Sequence, residues 1–104
     1  MNGGRVAKLQ AALLQDPADS FSHYALALEF ASGGRPQEAI LQLEKLLERD
    51  SSYIPAHQQL GYFLQKENRL EEARATFLRG VAEAQRQSDG HSAAEMQQAL
   101  DEME

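Results

Sequence analysis

Laid over itself with a shift of 34 residues, the sequence falls into register along two stretches. "GGRPQEAILQLEKLLE" (33–48) lies over "ENRLEEARATFLRGVA" (67–82), pairing Arg35 with Arg69, Glu38 with Glu72 and Ala39 with Ala73. Upstream, "SHYALALEF" (22–30) lies over "AHQQLGYFL" (56–64), pairing His23 with His57 and Leu26 with Leu60. The small residues Ala27 and Gly61 coincide, as do the bulky Phe30 and Leu64. A fixed period of this length marks stacked units, none of which can bury its apolar face alone. That requirement restricts the fold more than any other feature of the chain.

Each unit reads as two helices. In the first, Leu26, Ala27 and Phe30 share a face, and Gly33-Gly34 breaks the helix. Gly34 and Asn68 occupy the same repeat position, and both residue types accept the left-handed conformation that ends helices. Pro36 then stands where a first helical turn tolerates proline. Ala39, Ile40, Leu43, Leu46 and Leu47 follow at helical spacing, to about Arg49. "DSS" (50–52) offers turn and cap chemistry, and Pro55 again falls near a helix start. The second unit repeats the plan, with Leu60, Gly61 and Leu64 on its first helix and Ala73, Phe77 and Val81 on its second.

The flanks read as half-units. Residues 5–15 place Val6, Leu9, Ala12 and Leu13 on one face; residues 91–103 do the same with Ala93, Met96, Ala99, Leu100 and Met103. The expectation is an all-α chain of about six helices in one domain over 1–104. It comprises a cap helix (5–15), repeat 1 (20–50), repeat 2 (53–87) and a closing cap helix (91–103).

Composition narrows the function classes. Sixteen acids against ten Lys and Arg give a net charge of −6, with the bases scattered singly. Nucleic-acid surfaces need clustered Lys and Arg, so no nucleic-acid partner is expected. With no cysteine, neither disulfides nor thiolate metal sites can support the fold, and a cytoplasmic setting is expected. "MNGGRVAKLQAALLQ" has no apolar run of signal-peptide length, and no stretch approaches a membrane span.

The pattern resembles the tetratricopeptide repeat, in which an aromatic, a Leu-Gly pair, an aromatic, an Ala, an aromatic and a closing Pro recur. In the second unit Leu60-Gly61, Leu64, Ala73 and Phe77 take these places, with Gly80 at a second small position. Leu26-Ala27, Phe30, Ala39 and Leu43 fit the first unit more loosely, and Pro17 in "DPADS" matches the closing Pro. The resemblance implies a right-handed helical-repeat solenoid of antiparallel helix pairs. It also implies that one face of each first helix looks into a concave, partner-holding groove.

The three histidines, His23, His57 and His91, are spaced 34 apart and all read as the pattern's first aromatic position. Neighbouring units stack about 10 Å apart, so His23 and His91 would lie on the order of 20 Å from each other. Zinc needs its nitrogens at about 2.0–2.1 Å. Three imidazoles strung along an array cannot share one ion, and they are expected instead as partly buried rings packed between helices. Glu38, Glu71 and Glu72 fall in first helical turns, where carboxylates suit the dipole. Glu29, an acid beside the packing stripe, is expected to form a salt bridge or a cap. No nucleophile-base pair, phosphate loop or metal spacing is visible, so no catalytic residue, metal or cofactor is expected, and the protein is read as no enzyme.

What remains is surface. On each first helix, a second line lies about 130° from the packing stripe at 100° per residue. It carries Phe21, Tyr24 and Leu28 in unit one, and Gln58, Tyr62 and Gln65 in unit two. Tyrosines, a phenylalanine, a leucine and amides suit a protein or peptide partner that offers an apolar anchor and backbone hydrogen bonds. A terminal helix folded over the line would instead complete the core. Family members that clamp a partner's terminal carboxylate use Lys, Arg and Asn on this face. Here Tyr24, Leu28, Pro55 and Gln59 stand at those places, with Lys66 as the nearby base. The leading reading is thus a small non-catalytic adaptor or scaffold. The alternative is a homodimer joined through the terminal half-repeats, against which a monomer would count. Thermal melts with zinc and with chelator should coincide; a zinc-dependent rise in Tm would restore the histidines as ligands.

Overall fold

The computed structural model describes residues 3–103. Six helices occupy them: α1 (Gly3–Gln15), α2 (Ser20–Ser32), α3 (Pro36–Arg49), α4 (Ile54–Lys66), α5 (Leu70–Arg86) and α6 (Gly90–Glu102). No strand occurs among the described residues. The chain divides into two compact units, one up to Asp50 and one from Ser51 onward. Residues 1, 2 and 104 of the domain expected over 1–104 lie outside the described residues.

In the first unit α2 packs against α1 and α3. Its core holds Val6, Leu26, Ala27, Phe30, Ala39, Ile40, Leu43 and Leu46, all buried. Glu29 is buried beside them, and Arg5 of α1 places Nη1 3.0 Å from its Oε1. The contact is an ion pair whose alignment falls short of a hydrogen bond. This acid therefore links α2 to α1, the salt-bridging role expected for it.

In the second unit α5 packs against both α4 and α6. Two glycines set the approach. A Cβ on Gly61 would lie 2.4 Å from a ring carbon of Phe77, and one on Gly80 would lie 2.4 Å from Sδ of Met96. Phe77 and Met96 are both fully buried, so neither ring nor thioether has room to withdraw. Ile54, Val81, Ala84, Ala93, Ala99 and Leu100 complete this core, with Met103 packed at its edge.

Three helices end alike. Gly34, Asn68 and Ser88 adopt φ of 76°, 60° and 61°. The next residue's N–H reaches back to Phe30, Leu64 and Ala84 at 2.9, 2.8 and 2.8 Å. These are Schellman caps, which satisfy carbonyls the helix leaves open. Pro36 and Pro55 sit in the first turns of α3 and α4. Within "DSS", Asp50 is the C-cap of α3 and accepts from the Ser20 hydroxyl at 2.6 Å, while Tyr53 holds the N-cap position of α4.

The 34-residue step fails at the last helix. From Ser20 to Ile54 the first helices are 34 apart, but from Ile54 to Gly90 the step is 36. The cause is α5, 17 residues long against 14 in α3. Where α3 meets Asp50-Ser51-Ser52, α5 continues through Ala84-Gln85-Arg86, which are good helix formers. The buried face of α6 follows the longer step, so Ala93, Met96 and Leu100 take the places of His57, Leu60 and Leu64. His91 is therefore not the counterpart of His57, and its spacing is a coincidence.

Gly61→Ala should destabilise the protein by about 2 kcal/mol, the usual range for overpacking, or roughly 10 °C in Tm. Ser88→Gly should raise stability by about 0.5 kcal/mol, since glycine relieves the left-handed strain and gives back part of the gain in entropy. Thermal melts read both.

Candidate functional site

On α2, Phe21, Tyr24 and Leu28 fall on one helical line. Phe21 is 63% exposed, while Tyr24 and Leu28 are half-buried. Burial holds the Tyr24 hydroxyl above the ordinary tyrosine pKa, because the phenolate would lose solvation. The first unit thus presents an aromatic and aliphatic patch.

On α4, Gln58 and Gln65 are half-buried and Tyr62 is 36% exposed. The Tyr62 ring meets Phe77 edge-on, with centroids 5.3 Å apart at 66°, which fixes its direction. Gln58 Nε2 donates to the Tyr62 hydroxyl at 3.2 Å and lies 3.4 Å from Oε1 of Glu95. Tyr62 and Gln65 form one wall of a groove of about 220 Å³; Glu95, Gln98, Ala99 and Glu102 of α6 form the other. The closing helix therefore borders this line and leaves it open. Sequence reading found the α4 wall and missed the α6 wall. The signal was present: Glu95, Gln98 and Glu102 recur at helical spacing next to the apolar face that was read.

The histidines divide by role. Nε2 of His23 donates to the Pro17 carbonyl at 2.7 Å, and Nε2 of His57 donates to the Ser51 carbonyl at 2.8 Å. Each imidazole ties its helix to the turn six residues before it, at equivalent places in the two units. Gln42 Nε2 donates to Nδ1 of His23 at 2.7 Å. At the equivalent place Thr76 is too short to do so, and Nδ1 of the buried His57 has no hydrogen-bond partner. His91 departs from expectation: it is exposed and pairs with Glu95, four residues on, at 3.3 Å. Among the described residues no group of three or more His, Cys, Asp or Glu side chains is arranged to hold a metal.

The charged pairs also recur. Arg69 grips Glu72 through two contacts of 2.7 and 2.8 Å, and Arg35 grips Glu38 in the same manner. The Arg69 hydrogen bond holds the Glu72 carboxyl below its ordinary pKa, as the Arg86 hydrogen bond does for Glu83. At the start of α6, Asp89 Oδ1 accepts from the Ser92 N–H at 3.1 Å, and that bond lowers the Asp89 pKa. Asp89 thereby anchors the helix that forms one groove wall. No helix among the described residues is long and apolar enough to cross a membrane.

The tetratricopeptide repeat family model matches residues 30–96. A tetratricopeptide repeat domain protein from Salinibacter ruber, solved in solution by NMR, superposes with a TM-score of 0.81 at 29% identity, covering 86% of this chain and 90% of that one. A crystal structure of a tetratricopeptide repeat domain protein from the same organism gives 0.77 at 27% identity, with 82% and 94% covered. A protein from Bordetella parapertussis, also solved in solution, gives 0.80 at 26%, with 94% and 85% covered. No curated protein matches the sequence.

Asp89→Ala should lower the Tm at neutral pH. Because the folded pKa of Asp89 is depressed, its contribution is complete above the ordinary carboxylate range near pH 4 and is lost as pH falls through the folded value. The gap between wild type and variant should therefore close on acidification, as followed by circular dichroism. A gap that persists at low pH would show that the carboxylate is not the cap.

Proposed function

The chain belongs to the tetratricopeptide repeat family, and on that premise we propose that it is a non-catalytic adaptor that captures a peptide segment of a protein partner. Domains of this fold generally serve as protein–protein interaction modules, which sets the class. The observation that carries the finer reading is the open groove between α4 and α6. Its one aromatic, Tyr62, is held by Phe77, and its Gln65 and Gln98 amides can bond an extended backbone. Such a preformed wall lowers the ordering cost of binding. In the first unit the exposed Phe21, with Tyr24 and Leu28 beside it, is a second candidate contact for an apolar anchor.

A homodimer is the competing reading, favoured by Leu14 on α1, a large aliphatic left 84% exposed. Light scattering over a concentration series separates the two, and Leu14→Glu should dissociate a dimer built there.

Peptides selected on the full chain from a displayed library should lose at least tenfold in affinity on Gln98→Trp. That residue is exposed, so an indole there fills the groove without disturbing the core. Tyr24→Ala with Tyr62→Ala should weaken capture while helicity persists. Affinity unchanged by all three substitutions would remove this site.

A further inference from the structure

Charge along the chain is uneven. After Arg86 the sequence contains Asp89, Glu95, Asp101, Glu102 and Glu104, with neither Lys nor Arg. Five of the six net negative charges thus lie in residues 87–104. Two of these acids, Glu95 and Glu102, line the α4–α6 groove, and no basic side chain lines it with them. Seven residues apart on one helix, they are separated by about 10 Å along the axis. Ala99, between them, is small and leaves the space opposite Tyr62 open. The groups near Glu95 are the Gln58 amide at 3.4 Å and the His91 imidazole at 3.3 Å.

We propose that this groove binds a cationic, extended peptide segment carrying two Lys or Arg side chains three residues apart. The inference rests on reading the groove as a peptide site and adds the chemistry of its occupant. Spacing selects the conformation: in an extended polyproline II segment, with three residues per turn and about 3.1 Å rise, side chains three residues apart share one face about 9 Å from each other, which matches the two carboxylates. One basic side chain sits on Glu95 and the other on Glu102, while the intervening backbone meets Gln65 and Gln98. An aliphatic stem crosses Ala99 to the face of Tyr62, where a cation is also attracted. The acidic end of the chain adds long-range steering, which speeds encounter with a basic partner and is screened by salt.

The test is a selection of random phage-displayed dodecamers on the full chain, followed by anisotropy titration of the enriched peptides. The enriched set should carry paired Lys or Arg at a spacing of three. Glu95→Gln with Glu102→Gln should weaken these peptides at least tenfold, and Glu102→Gln alone should weaken them less. Both glutamates are exposed, and circular dichroism checks that α6 persists. Raising salt from about 0.01 to 1 M, which shortens the Debye length from about 30 to 3 Å, should weaken binding as well. Enriched peptides without bases, or indifferent to the double glutamine variant, overturn the charge assignment. If those peptides still lose binding on Gln98→Trp, the groove remains a peptide site. Peptides indifferent to Gln98→Trp, or no enrichment at all, overturn both. Self-association that disappears in Glu95→Gln/Glu102→Gln would make a second copy the occupant and overturn the inference too.

Discussion

The second unit depends on one contact, the Phe77 ring lying where Gly61 has no side chain. A fully buried phenylalanine contributes about 1.5–3 kcal/mol by burial, and truncating one costs about 3–5 kcal/mol. Its geometric effect is larger than its energy suggests. Phe77 brings α5 against α4, and its ring meets Tyr62 edge-on, so the residue next to Gly61 is aimed by the same contact. Gly80 repeats the device, letting Met96 bring α6 onto α5. The two groove walls, α4 and α6, touch each other far less than each touches α5. The groove between them is held open by the helix behind it.

Much of this was legible because packing positions repeat. Ala27 and Gly61, Ala39 and Ala73, and Leu43 and Phe77 coincide under the 34-residue shift, and all six are buried. Gly34 and Asn68 coincide as well, and both have positive φ. A period in sequence reports a period in burial, since each unit must satisfy the same neighbour geometry. Even the histidines obey it twice, through equivalent bonds to Pro17 and Ser51.

The period misled where a helix changed length. His91 keeps the spacing of 34 but not the environment, because α5 gains a turn at Ala84-Gln85-Arg86. Helix propensity carried that information: Asp and Ser compete for backbone hydrogen bonds and stop α3, whereas Ala, Gln and Arg do not. The α6 wall was missed for a related reason. Reading α6 as a cap uses only its apolar face, Ala93, Met96, Ala99, Leu100 and Met103, and Glu95 and Glu102 lie outside that face. Whether Glu95 and Glu102 face bulk water or a groove depends on α4 standing opposite, which is a tertiary fact.

The candidate contact positions have the opposite statistics from the core. Phe21 aligns with Pro55, Tyr24 with Gln58, and Leu28 with Tyr62, so the two units differ wherever the line faces outward. A scaffold position is constrained by the neighbouring helix, which is nearly the same in each unit, and so it recurs. A contact position is constrained by a partner, which has no reason to repeat every 34 residues. Loss of periodicity on an ordered, partly exposed helix face therefore marks where the chain's individual character lies. Here it separates an apolar patch on α2 from an amide and carboxylate groove beside α4.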